Sequence, residues 1–446
     1  MKKVFLVGFA VAVFTLSVTG GIAGATTFYS LTDLGTINNS PAFWMASDAS
    51  DINNLGQVTG SSTAISINGD LTFHGFFWDK NNGMIDLGTF TGNIPISGTY
   101  PETYPYAIND LGQITGGIIG GGDGLRPAFV WDNLNGFTDL SSYFIGDAVG
   151  YDINNSGQVV GYGGIASFNS TDAFIWDSTN GITVLGEGGA NAINESGQVG
   201  GVLVGLHAFI WEESIGLYEI ARGSVNAINE SGQAVGDLDG GHSFIWDATN
   251  GVVDLGVLGL GDDDMVSAQD INNQGQVVGI THDRYSSDKV AFIWDSINGI
   301  VDLNTLIDTT GSGWHVSTAM GINDLGQIVG TAHNDSGQRR AVLLNPVVPT
   351  IENILTFFDE SVEQENIYGR GTGWLAQLRL RIMRKLLEIS GEFIEKDRLN
   401  TACFILKRAN TLCDGELLPR EDLVEGSATV ELANMIEELI AYLGCE

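Results

Sequence analysis

The sequence predicts an all-β fold, a seven-bladed β-propeller closed by its own N-terminal strand and followed by a small all-α helical domain. The first observation behind this is a repeat. The unit Ile-Asn-x-x-Gly-Gln begins at Ile52, Ile108, Ile153, Ile193, Ile228, Ile271 and Ile322, and Asn53 to Asn323 covers 270 residues in six steps, a mean period of 45. A period of that size belongs to units that bury a hydrophobic face against their neighbours. The second observation is the texture within one unit. Apolar runs of four or five residues stand between Asn, Asp and Gly turn signals, which reads as four short antiparallel strands. The third is that the two ends of the array complement each other. Leu31-Thr32-Asp33-Leu34-Gly35 matches fourth strands such as 85–88 and 252–256 but has no first three strands before it, whereas the last unit stops at Asn345 with three strands and no fourth. A strand from one end completing the sheet at the other removes the open edge that a linear array leaves.

Local chemistry supports each element. In the third copy the strands fall at 150–154, 158–162, 173–176 and 182–185, and Asn154-Asn155-Ser156-Gly157 makes a tight turn whose glycine is free to take positive φ. A second motif, aromatic-apolar-Trp-acid, sets Trp78, Trp131, Trp176, Trp211, Trp246 and Trp294 at one equivalent strand position. A residue copied into every blade serves the blade, so these indoles are expected to pack between neighbouring blades. The repeat glutamines, from Gln57 to Gln327, are expected to satisfy backbone groups at the tight turn. The turns joining first to second and third to fourth strands are short and lie at one end of each blade. The other connections vary widely in length and share the opposite end.

These motifs resemble the bacterial HAF repeats, a family of extracellular repeats named for a His-Ala-Phe signature. The full triplet stands at His207-Ala208-Phe209, with His74-Gly75-Phe76 and His242-Ser243-Phe244 as near matches. The resemblance covers residues 29 to 345 and implies an exported protein, with no established reaction to carry over. Relatives that end in a sorting tail with a membrane helix differ from this chain. The three histidines recur at one point before the third strand, where structure is the expected role.

Lys2 and Lys3 ahead of the apolar run 4–18, with Ala23-Gly24-Ala25 after it, read as a secretory signal peptide over residues 1–25. The propeller is expected over 26–347, the helical domain over 348–446, and no membrane span in the mature chain. A secreted or periplasmic bacterial location follows. With 19 basic against 54 acidic residues, a formal net charge of −35, nucleic acid is excluded as a partner because phosphate binding needs a basic footprint. Between Thr26 and Pro349 the only basic residues are Lys80, Arg126, Arg222, Arg284, Lys289, Arg339 and Arg340. That asymmetry marks a composition boundary near Pro346 to Pro349.

The long-connection end is where binding is expected on a rigid frame. Tyr100, Tyr104, Tyr143, Tyr285 and Trp314 sit there unrepeated, with Arg284 and His315 among them, a set suited to stacking on sugars or gripping a peptide. Asp262, Asp263 and Asp264 offer carboxylates to calcium but lack the oxygen spacing of a calcium loop; no other cofactor is expected. The reading is a binding or structural module for a carbohydrate or a protein or peptide ligand. The alternative is an extracellular propeller hydrolase or lyase acting on a polysaccharide or lactone through loop carboxylates such as Asp262 or Asp283. No nucleophile with its base stands out in sequence, so catalytic residues are left unassigned.

From Ile351 onward the periodicity turns helical. Trp374, Leu375, Leu378, Ile382, Leu386 and Ile389 form an apolar stripe read as the core of this domain, with further helices at 400–412 and 429–443. Of the three cysteines, Cys403 and Cys413 stand ten apart on one expected helix, too far to bridge. Cys413 with Cys445 is the expected disulfide.

Overall fold

The computed structural model describes residues 28–37, 45–65, 69–88, 102–119, 126–165, 167, 171–260, 264–285, 288–347, 350–396, 398–413, 423–442 and 445. The signal-peptide expectation, Tyr100, Asp262 and Asp263 fall outside them. The chain is mostly β, with a propeller-like arrangement of sheets and helices at the C-terminal end. In the first copy, strands Ser47–Ile52, Val58–Ile65, Leu71–Asp79 and Gly83–Gly88 pair in chain order, each antiparallel to the next. The second copy repeats this with Glu102–Ile108, Ile114–Ile119, Ala128–Asp132 and Gly136–Asp139. The copy that starts at Asp264–Ile271 and ends at Gly299–Asp302 does the same.

Between them the connections are so short that an outermost strand runs directly into the next innermost one. Gly181–Ile193 pairs with Asp172–Asp177 over its first half and with Val199–Leu203 over its second. Gly216–Ile228 bridges the following two groups in the same way. The N-terminal strand Tyr29–Asp33 lies antiparallel on Arg339–Pro346, from Tyr29 opposite Pro346 to Asp33 opposite Val342, as the complementary ends required. Innermost strands touch their neighbours in succession, and Trp314–Ile322 touches Ser47–Ile52, so the series returns to its start.

The cores lie between sheets rather than within one. Ala128, Val130 and Leu140 of the second copy pack with Phe174, Trp176 and Val159 of the third, while Val329, Ala341 and Leu343 of the last pack with Val58, Phe76 and Trp78 of the first. Phe76, Phe129, Phe174, Phe209, Phe244 and Phe292 are all fully buried at equivalent positions. Each contributes about 1.5–3 kcal/mol by leaving water.

Among the described residues the C-terminal part holds four helices, α1 (Ile351–Glu363), α2 (Trp374–Glu395), α3 (Leu399–Asn410) and α4 (Thr429–Tyr442). Thr350 caps α1, its hydroxyl accepting from the Asn353 amide while Asn353 Oδ1 accepts from the Thr350 amide. The expected stripe on α2 is corrected in part: Leu386 packs against the core, but Trp374 is 77% exposed, and Leu375, Leu378 and Ile382 also face out. The buried face is the neighbouring row Leu380, Met383, Leu387 and Ile394, packed with Phe358, Leu406, Leu432 and Ile436. This helix is apolar on two faces, and packing partners chose between them. The disulfide is also corrected. Cys403 pairs with Cys445, with Cα atoms 5.5 Å apart, because α3 ends at Asn410 and leaves Cys413 in the following turn, a buried thiol that donates to the Asn410 carbonyl. Among the described residues no helix is long and apolar enough to cross a membrane.

Candidate functional site

The repeat motif builds two circular hydrogen-bond belts at the short-turn mouth of the axis. In each copy the motif asparagine holds its own turn: Asn53 Oδ1 accepts from the amides of Leu55 and Gln57, and its Nδ2 donates to Gln57 Oε1. The glutamine thus serves the asparagine, which in turn satisfies the backbone, a division of labour that differs from the sequence expectation. The same Nδ2 reaches the motif asparagine carbonyl of the next copy. The series runs Asn53, Asn109, Asn154, Asn194, Asn229, Asn272, Asn323 and back to Asn53, each bond 2.8–3.2 Å. One residue on, a second belt forms. Backbone N–H groups donate to the next side chain in the order Asn54, Asp110, Asn155, Glu195, Glu230, Asn273, Asp324 and back to Asn54.

Deeper on the axis lie Asp51, Asp152 and Asp270, one residue before the motif isoleucine. Each carboxylate bridges two copies: Asp152 accepts from Ile153 N and from Ile193 N at 2.7 Å each, and Asp51 and Asp270 repeat this toward Ile108 and Ile322. Burial dominates their titration. It pushes Asp152 and Asp270 up to about 6 against the pull of those amides, and raises Asp51 well above the carboxylate range, with Asp270 adding to the effect.

Every innermost strand also carries a β-bulge, an extra residue with no partner across the ladder. The bulged residues are Ser50, Tyr106, Tyr151, Asn191, Asn226, Gln269 and Met320. The bulge brings an innermost-strand carbonyl against the facing glycine of the second strand, so that a Cβ on Gly161 would stand 1.9 Å from Val149 O and one on Gly236 1.9 Å from Ser224 O. A glycine three positions after each motif glutamine was the legible signal of this, and sequence reasoning missed it. The individuality of the copies therefore begins on the innermost strands, before any loop.

Two sectors of these side chains form distinct environments. In one, Tyr106 stands edge-on to Tyr151 at 5.3 Å and Tyr151 lies 5.7 Å from Tyr162. Desolvation and the neighbouring phenols raise Tyr106 and Tyr151, while Arg126 pulls both back. In the other, Asp237 accepts from Ser243 Oγ, Ser267 Oγ, Asn226 Nδ2 and Ala268 N. Burial still raises its carboxyl. A cavity of about 470 Å³ opens beside it, reached by His282 and Lys289.

The residues singled out from sequence do not converge. Tyr104 stacks on Phe73 at 6.3 Å and donates to Glu102 at 2.7 Å, close in sequence to the tyrosine sector. Tyr143 is edge-on to Trp176 and against Gly181, where the short third-to-fourth turn ends, and so lies at the opposite end from the one expected. Tyr285 is 86% exposed, with Arg284 preceding it in the same turn. Trp314 packs into the core beside the closing strand. His315 contacts the Lys289 carbonyl and lies opposite His333. Asp264 is buried and accepts from Gly259 N and Leu260 N, so its carboxylate anchors its own loop. Among the described residues no group of three His, Cys, Asp or Glu side chains is placed to hold a metal. The repeated histidines pair with carboxylates on the adjacent fourth strand, His74 with Asp86, His207 with Glu219 and His242 with Asp254.

No family model and no curated protein matches the chain. Among solved structures, YCF48 bound to D1 peptide is 12% identical, with 72% of this chain and 96% of that one covered at a TM-score of 0.41. A puromycin hydrolase is 10% identical over 71% of this chain and 56% of its own, TM-score 0.41. A Trypanosoma rangeli sialidase mutant is 12% identical over 77% and 61%, TM-score 0.31. These are distant likenesses, and the ligands and reactions in those titles belong to those proteins.

Proposed function

We propose that the chain is an exported HAF-type ring of seven blades over residues 26–347 with a helical domain over 348–446, working as a binding module for a carbohydrate or extended peptide at its long-connection end. The observation that carries this is the contrast between the closed, repeated asparagine belt and the unrepeated side chains on the innermost strands. A rigid frame with individually chosen polar and aromatic groups suits recognition. The contact set is Tyr104, Tyr106, Tyr151 and Tyr162 with Arg126; the exposed Tyr285 and Arg284 stand apart from it. Aromatic faces supply apolar area, and Asn191, Asn226 and Gln269 supply hydrogen bonds.

The test is a glycan array beside a peptide library, read with the intact chain and with Tyr106→Ala and Tyr151→Ala. Binding weakened about tenfold or more by either substitution is expected, since one stacked aromatic contributes on the order of 1–2 kcal/mol. Unchanged binding in both variants would remove the tyrosine sector from the reading. A second reading, a hydrolase or lyase, rests on Asp237, whose raised carboxyl beside a cavity is the pattern of a proton-transfer group. Turnover of a polysaccharide or lactone that Asp237→Asn abolishes would replace the first reading with this one.

A further inference from the structure

Among the described residues, three cavities between adjacent copies on the short-turn side, away from the tyrosine sector, share one plan. One of about 510 Å³ separates the first and second copies, one of about 1060 Å³ the third and fourth, and one of about 500 Å³ the fourth and fifth. In each, one wall is the half-buried indole of the following copy: Trp131, Trp211 or Trp246. The motif glutamines of both copies line the floor, Gln57 with Gln113, Gln158 with Gln198, and Gln198 with Gln233. Turn acids of both copies complete the walls, Asp79 with Asp132, Asp177 with Glu212, and Glu212 with Asp247. Among the described residues no Lys, Arg or His lines any of the three.

Three of the turn aspartates stay ionised. The side-chain amide of the turn asparagine, then two backbone amides, hold Asp132, Asp177 and Asp247 below the ordinary carboxylate range. The third copy supplies an internal contrast. Its Trp176 is buried with Tyr143 edge-on at 6.2 Å, whereas Trp131 and Trp246 remain half-exposed although Phe77 and Tyr218 stand 6.3 Å from them, and Trp211 is half-exposed as well.

We propose that these three cavities are one repeated saccharide site, taking pyranose residues that bear hydroxyl or amino groups and no acid group. An indole face accepts the apolar C–H face of a sugar ring. Carboxylates accept from its hydroxyl or ammonium groups with the lone pairs their own bonds leave open, and the glutamine Nε2 groups donate, that of Gln198 while it also holds Glu212. Walls without a cation repel uronate and sulfate. Cavities of these sizes hold one or a few sugar rings, and their repetition on one rigid ring raises avidity for a polymer without any new contact.

Calorimetry on the intact chain with a glucosamine trimer, cellotriose and a galacturonate trimer tests this, beside a surface assay with the corresponding polymers. Saturable binding of the first two at about three sites per chain, with none of the uronate, is expected. Glu213→Lys, at the exposed rim of the largest cavity, should remove one site while leaving the melting temperature unchanged. Trp211→Ala with Trp246→Ala should leave one site and weaken polymer binding about tenfold or more. Absence of saturable saccharide binding, equal binding of the uronate, or an unchanged stoichiometry in Glu213→Lys each overturns the proposal. Loss of binding on Tyr106→Ala with none on these variants assigns the sugar to the other end and overturns it as well.

Discussion

At the scale of single residues the axial aspartates are the most pH-sensitive feature. Asp152 and Asp270 are raised to about 6 by burial, above the ordinary carboxylate value. The folded ring therefore binds these protons more tightly than the unfolded chain does. Their contribution to stability is fully present below the ordinary carboxylate range, near pH 4, and is lost as pH rises through about 6. Each is worth on the order of 3 kcal/mol across that window. Melting temperature should fall between pH 4 and pH 7, and Asp152→Ala should flatten the fall. Alanine is tolerated at this place, since Ala107, Ala192 and Ala227 occupy it in other copies. A profile of equal slope in the variant would mean that other carboxylates dominate.

At the scale of elements, α2 shows how a pattern can be legible and still misassigned. Trp374, Leu375, Leu378 and Ile382 form as good a stripe as Leu380, Met383, Leu387 and Ile394, yet only the second is buried against the other helices. Leu387→Ala should cost about 2–4 kcal/mol in denaturant unfolding of the helical domain. Trp374→Ala should stay within about 0.5 kcal/mol. Reversed magnitudes would mean that the outward face is covered in solution. The cysteine assignment failed for a similar reason. Spacing rightly excluded a Cys403–Cys413 bond but carried no information on which of the two the C-terminal end reaches, and the fold brings Cys445 to Cys403 on α3.

At the scale of the whole molecule, closure decides stability. Tyr29 and Leu31 are buried in the closing sheet, where Leu31 N donates to Thr310 Oγ1 and the strand completes the ladder of Arg339–Pro346. Deleting residues 28–35 should cost about 4–9 kcal/mol, from the buried Tyr29, Leu31 and Leu34 side chains alone, and should promote aggregation through the bared edge. Chemical denaturation and light scattering read the two effects. A truncated chain with the full unfolding free energy would show that the ring holds without its first strand.

What the sequence determined alone was the repeat, the four-strand texture of each copy and the complementary ends, because a motif copied at a fixed period reports on contacts that are themselves repeated. The asparagine and glutamine of each motif were visible as a repeated pair, and the belt is what a repeated pair becomes when its sheets are arranged in a circle. Only the tertiary structure decided which unrepeated side chains share a surface. Tyr104, Tyr143, Tyr285 and Trp314 looked alike in sequence, yet they lie in separate places, since loop residues carry no period from which direction can be read. Asp237 and the bulged Tyr106 and Tyr151 escaped notice because they sit inside strands, where one inserted residue re-aims a side chain. The crowding of neighbouring copies around the half-buried Asp152, which distinguishes it from any surface aspartate, depends on copies far apart in the chain standing side by side.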